Sequence, residues 1–161
     1  MQQATLCFLI RDNKGSRELL LAMKKQGFGQ GKWNGVGGKF DFEKDKDISE
    51  AAIRETKEEI KVEVKDIEKV AVLSFYFPYQ KEWSQDVHVF ISKNWQGEPE
   101  ESDEMKPKWF SVNEIPFNEM WSDDKFWLPE ILSGKKLKAN FTIGEGKIIV
   151  SHNVKIVNRL D

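Results

Sequence analysis

ISEAAIRETKEEI, residues 48–60, decides how the rest of the chain is read. Winding the segment at about 100° per residue puts Ser49, Ala52, Ile53, Thr56 and Ile60 on one side, a stripe that fits against a core. Glu55, Glu58 and Glu59 share the adjoining sector, within about 100° of one another. Like charges at these spacings repel. Arg54 reaches Glu58 one turn on and Glu50 reaches Arg54, but Glu55 and Glu59 have no cation on the helix to pair with. Asp47 or Ser49 supplies the N-cap. A solvated charged face accounts for such a strip in most Glu-rich helices. A hard divalent cation accounts for it as well, because carboxylate oxygens are the ligands Mg²⁺ takes, shared with water and substrate phosphates.

The stretch before the helix shifts that balance. GFGQGKWNGVGGKF, residues 27–40, holds six glycines in fourteen positions, and Lys24, Lys25, Lys32 and Lys39 surround it. Glycine lets backbone come close to a ligand, and ammonium groups suit phosphate. The loop is not a P-loop, since no G-x-x-x-x-G-K-[ST] is present. A glycine-rich turn feeding an acidic helix suits a metal–polyphosphate substrate.

Further out, TLCFLIRD (5–12) and ELLLAMKK (18–25) read as strands joined by the turn DNKG (12–15). EKVAVLSFYFPY (68–79) and QDVHVFIS (85–92) read as paired strands, with a short strand at KPKWF (106–110). A second helix is expected near 123–133, ended by Gly134, and the tail forms a hairpin turning at GEG (144–146). Strands and helices mix, as in an α/β or α+β sandwich. No repeat or linker divides the 161 residues, so one domain over 1–161 is expected.

Bulk properties exclude several classes. No apolar run approaches the roughly 20 residues needed to span a bilayer, and the N-terminus carries no signal-peptide pattern. A net charge of −2 and a pI near 5.8 argue against nucleic-acid binding. The single cysteine, Cys7, lies in an apolar strand and reads as a buried, inert thiol. A cytoplasmic monomer is the expectation.

The loop and helix together carry a resemblance. GGKF…RETKEEIKV resembles the Nudix box, G-x5-E-x7-R-E-U-x-E-E-x-G-U with U aliphatic. LLLAMKKQGFGQGKWNGVGGK, DVHVFIS, ESDEMKPKWF and IPFNEMWSDDKFWLPEIL extend it over about residues 5–157, and are similar to the MutT-homologue branch acting on oxidised purine nucleoside triphosphates. Two departures stand out. Fifteen residues separate Gly38 from Arg54 where the pattern has thirteen, so Lys44 takes the box glutamate position and Glu43 comes one early. Lys61 stands where the box has glycine, and Thr56 replaces an aliphatic residue.

The resemblance implies an α/β/α sandwich around a mixed sheet. It also implies Mg²⁺-dependent hydrolysis, with Mn²⁺ able to substitute, of modified purine triphosphates such as 8-oxo-dGTP and 2-hydroxy-dATP to monophosphate and pyrophosphate. Carried over by position, Glu55, Glu58, Glu59, Glu104 and the Gly37 carbonyl are metal ligands, and Arg54 orients the carboxylates. Glu58 or Glu104 is the base. Thr5, Lys24, Phe28, Asn34, Phe75, Trp121, Asp123 and Asp124 bind the nucleotide. Alone, Asp123 and Asp124 read equally as helix caps. As neighbouring carboxylates in a partly dry pocket, one of them stays protonated and donates. Two other readings remain: the same fold acting on ADP-ribose or dinucleoside polyphosphates, or an inactive nucleotide-binding module.

Overall fold

The computed structural model describes residues 1–160. Chain order is β1 (Gln2–Asn13), β2 (Ser16–Lys24), β3 (Trp33–Asn34), α1 (Ile48–Ile60), β4 (Glu63–Lys65), β5 (Glu68–Tyr76), β6 (Gln85–Ser92), β7 (Asn94–Gln96), β8 (Met105–Ser111), α2 (Asp124–Leu132), β9 (Lys136–Gly144) and β10 (Ile148–Val157). The main sheet runs β10-β9-β5-β6-β1-β2-β3, with β8 also on β2, and β4 pairs β7 separately. β1 with β6 and β5 with β9 are parallel and the other pairs antiparallel, so the sheet is mixed.

Strand alternation divides the core into two. Phe8 and Ile10 of β1, Val87 and Val89 of β6 and Leu73 of β5 pack with Trp127, Leu128 and Ile131 of α2. Cys7, Leu9 and Phe90 point the other way, onto Ala52 and Ile60 of α1. The run CFLI is buried throughout because β1 is covered on both faces. The helices therefore lie on opposite sides of the sheet, which is the α/β/α sandwich.

Local chemistry sets the joints. Lys14 and Gly15 both have positive φ (53° and 82°), the two-residue turn that closes a right-twisted hairpin. The Asp47 carboxylate accepts from the Glu50 N–H at 2.9 Å, so Asp47, and not Ser49, caps α1. Ala51 joins Ala52, Thr56 and Ile60 on the buried side. Lys61 ends the helix at φ 64°, a left-handed residue, which is why glycine suits that position. Burial pushes the Cys7 thiol up to about 12, so it is inert. Among the described residues no helix is long and apolar enough to cross a membrane.

Candidate active site

A cavity of about 300 Å³ lies between the α2 side of the sheet and the glycine-rich loop. Ala4, Leu6, Leu73 and Val87 give it an apolar wall. All eight expected nucleotide-binding residues, Thr5, Lys24, Phe28, Asn34, Phe75, Trp121, Asp123 and Asp124, line it, as does Gly37.

The polar end is organised by the start of α2. Asp123 occupies the N-cap position but makes no capping bond; its Oδ2 accepts from the Trp127 indole N–H at 2.8 Å. Asp124 is 2% exposed, and its Oδ2 has no hydrogen-bond partner. Burial first, then the neighbouring Asp123, raises the Asp124 pKa well above the ordinary carboxylate value. Burial also raises that of Asp123, opposed by the bond from Trp127. The capping role is thus unrealised. Instead there is one tethered carboxyl beside one buried carboxyl with an unpartnered oxygen, in surroundings that disfavour its charged form. Asn34 Oδ1 accepts from the Gly35 N–H at 2.8 Å, which leaves the amide nitrogen as its free polar group. Phe28 stacks on Trp121 with centroids 5.1 Å apart, and Phe75 stacks on Phe141 at 5.3 Å, serving core and cavity together.

Thr5 fastens the loop to β1. Its N–H donates to the Gly38 carbonyl at 2.9 Å. A Cβ on Gly37 would lie 1.8 Å from the Thr5 carbonyl oxygen, so only glycine fits there. A Cβ on Gly38 would lie 2.5 Å from the Glu55 carboxyl carbon, so the loop meets the acidic helix at this point.

The three glutamates of the acidic strip meet different surroundings. Glu58 is half exposed and accepts from Arg54 Nη1 at 3.2 Å. Contrary to expectation, Glu55 has a partner: the same nitrogen donates to its Oε1 at 3.0 Å. Glu50 does not reach Arg54. The guanidinium turns to Asp45 instead, donating from Nε and Nη2 at 2.7 and 2.8 Å, and to the Lys39 carbonyl at 3.3 Å. This fork holds the Asp45 carboxyl below its ordinary value. Glu59 lies on the inner side, with Oε2 buried and unpartnered. Its pKa is pushed up to about 7 by burial, then by the charges of Glu104 and Glu55, against Lys24. Glu104, before β8, is brought to the end of β2 by its carbonyl, which accepts from the Lys25 N–H at 2.8 Å.

The donor set fits a hard cation: Glu59 presents a dry, unsatisfied oxygen to the field of two other carboxylates. Among the described residues no three acidic, histidine or cysteine groups are gathered tightly enough to hold one, and Glu58 shares Arg54 with Glu55. Asp45, Phe77, Lys32 as a cavity residue, and Lys147 do not stand out in the sequence. Phe77 follows Phe75 at strand spacing, and that alternation was a usable signal. Asp45 and Lys147 had no local one.

A NUDIX domain matches residues 1–131. The chain belongs to the NUDIX family. It is 43% identical over 142 residues, 88% of this chain and 89% of the other, to an oxidized purine nucleoside triphosphate hydrolase of Danio rerio. It is 39% identical over the same span to its Mus musculus counterpart. In structure it resembles the mutator MutT protein of Bacillus halodurans, with a TM-score of 0.82, 23% identity and 96% and 98% of the two chains covered. It also resembles the NUDIX domain of Shewanella oneidensis NrtR, with a TM-score of 0.66, 14% identity and 82% and 86% coverage. These likenesses carry the fold. Within the Nudix box the acid that meets Arg54 is Asp45, with six residues between it and Gly38 and eight between it and Arg54. Each interval is one longer than the pattern, so the two extra residues are shared between both sides of the acid.

Proposed function

We propose that this protein is a divalent-cation-dependent hydrolase of oxidised or modified purine nucleoside triphosphates, releasing monophosphate and pyrophosphate and so clearing damaged nucleotides. The observation that carries the reading is the orphaned Asp124 beside Asp123 at the polar end of a purine-sized cavity, in a chain 39–43% identical to oxidized purine nucleoside triphosphate hydrolases. A protonated Asp124 donates to an acceptor on the purine edge and an ionised Asp123 accepts from a donor. The Asn34 amide adds a second donor. Exchange of the proton between the two carboxyls lets one pocket serve both 8-oxoguanine and 2-hydroxyadenine.

Glu59, with Glu55 and Glu104 closing on it and the Gly37 carbonyl nearby, would hold Mg²⁺ or Mn²⁺. Bound there, the ion would neutralise phosphate charge and acidify water. Arg54 keeps Glu55 in place, and Lys24 meets the phosphates beside Glu59. The attacking water gives its proton to Glu104, a role this arrangement favours over Glu58. Glu104 precedes the cavity residue Met105 and shares the field of Glu59, whereas Glu58 is held by Arg54 and faces solvent. The substrate is a free nucleotide, and the expected monomer needs no partner chain to complete this site.

The test is pyrophosphate release with Mg²⁺ from 8-oxo-dGTP, 2-hydroxy-dATP and dGTP, with ADP-ribose cleavage followed alongside. The modified purines are expected to react fastest. Equal or slower turnover of both, relative to dGTP and ADP-ribose, rejects the reading.

A further inference from the structure

Three lysines line the cavity: Lys24 on β2, Lys32 on the glycine-rich loop and Lys147 on the turn between β9 and β10. None makes an ion pair among the described residues. Lys24 acts on Glu59 and Lys32 acts on Asp124, so each is accounted for by a neighbouring acid. Lys147 has no acid. Its Nζ stands 4.3 Å from the Phe28 ring centre and 5.6 Å from that of Trp121, at the side of the stacked pair. Its backbone is left-handed at φ 61°, next to Gly146 at φ 76°. A lysine in that conformation is strained where glycine or asparagine would be less so.

We propose that Lys147 is a nucleotide-binding residue that fixes the anionic part of the ligand at the rim of the cavity. The inference rests on the nucleotide reading of this cavity. Ring faces attract an ammonium by their quadrupole, so Phe28 and Trp121 park the charge beside the opening while the pocket is free. Lys147 lines the same cavity as Asp123 and Asp124, and its ammonium lies beside the exposed Phe28. Phosphate is the anionic part of a nucleotide, and it is the part that an ammonium on the cavity wall would hold. Once a base stacks on Trp121, the ammonium loses its ring contact and turns to the phosphate-bearing portion. Because the residue comes from the C-terminal hairpin, it also ties a segment outside the matched NUDIX span of residues 1–131 to substrate binding.

The test uses the full chain and the variants Lys147→Asn, which tolerates the left-handed backbone, and Lys147→Arg, which keeps the charge. Calorimetric Kd values are measured for 8-oxo-dGMP and for the uncharged nucleoside, at low and high salt. KM and kcat are measured for 8-oxo-dGTP, and melting curves check the fold. The expected result is an affinity loss for 8-oxo-dGMP of about three- to tenfold in Lys147→Asn, the range of a partly solvated ion pair. The nucleoside is unaffected, the loss shrinks at high salt, Lys147→Arg restores binding, and KM rises with kcat unchanged. An equal loss for nucleoside and monophosphate, or no loss in Lys147→Asn while the wild type is active, overturns this inference alone. A wild type that neither binds 8-oxo-dGMP nor hydrolyses any triphosphate overturns the nucleotide reading and this inference with it.

Discussion

Substituting Asp45 with asparagine separates what the folded geometry says from what the box pattern says. The Asp45 side chain is 1% exposed and Arg54 19%, and two charge-assisted bonds join them. Removing one partner of a fully buried pair costs about 3–5 kcal/mol. Here Arg54 keeps Glu55 and Glu58 and part of its surface in water, so the cost is about 2–3 kcal/mol. In a domain of this size Tm moves by about 2–4 °C per kcal/mol, giving a fall of roughly 5–10 °C. Because Arg54 also bonds Glu55 and the Lys39 carbonyl, kcat should drop about tenfold to a hundredfold, as when the groups that orient metal ligands are lost. The sign with pH is fixed. A carboxyl held below its ordinary value contributes stability that is full above about pH 4, and that contribution disappears as pH falls through the lowered value, so the gap between wild type and variant closes in acid. The assay is a melting series over pH with single-turnover kinetics. Glu43→Gln and Lys44→Ala, at the positions the pattern points to, serve as controls and should be nearly silent. An unchanged Tm and rate in Asp45→Asn, or a larger effect in Glu43→Gln, would refute the reasoning.

Three further substitutions probe the site and the exit from α1. Glu59→Gln should reduce turnover by orders of magnitude. The folded pKa of Glu59 is raised to about 7, so wild-type stability should decline from about pH 4.5 to 7 in chelator while the variant stays flat; parallel melting curves would contradict this. Asp124→Asn keeps a neutral donor at every pH. It should change the ratio of kcat/KM between 8-oxo-dGTP and 2-hydroxy-dATP and remove the loss of activity caused by Asp124 ionisation in base; unchanged ratios and pH profile would count against the pocket assignment. Lys61→Gly relieves a left-handed lysine and should raise Tm by about 2–4 °C for about 1 kcal/mol, with activity retained; a lower Tm would show that the lysine side chain contributes more than the backbone costs.

Much of the fold could be read from local patterns. α1 and β6 fall on the expected bounds, 48–60 and 85–92, because an apolar stripe with a cap and a strict alternation leave little freedom. The tail hairpin and the stop at Gly134 followed from turn chemistry. The cavity residues were placed by resemblance, since nothing local tells a helix-capping Asp123 from one bonded to Trp127. Pairings that depend on a loop's path stayed hidden. Asp45 was one charge among several in FDFEKDKD, and only the folded loop turns it, and not Glu43, onto Arg54. Arg54 had two acids at helical spacing and took a third from outside the helix, because a buried fork outcompetes a solvated pair. Lys147 reaches the cavity from over a hundred residues beyond Phe28, a proximity that no spacing rule contains.

The most direct measurement is an anomalous difference map from crystals soaked with Mn²⁺ and 8-oxo-dGMP. The account predicts a Mn²⁺ peak among Glu59, Glu55 and Glu104, with the purine edge against Asp123 and Asp124. A cation bound elsewhere, or a base lying outside that cavity, would contradict it.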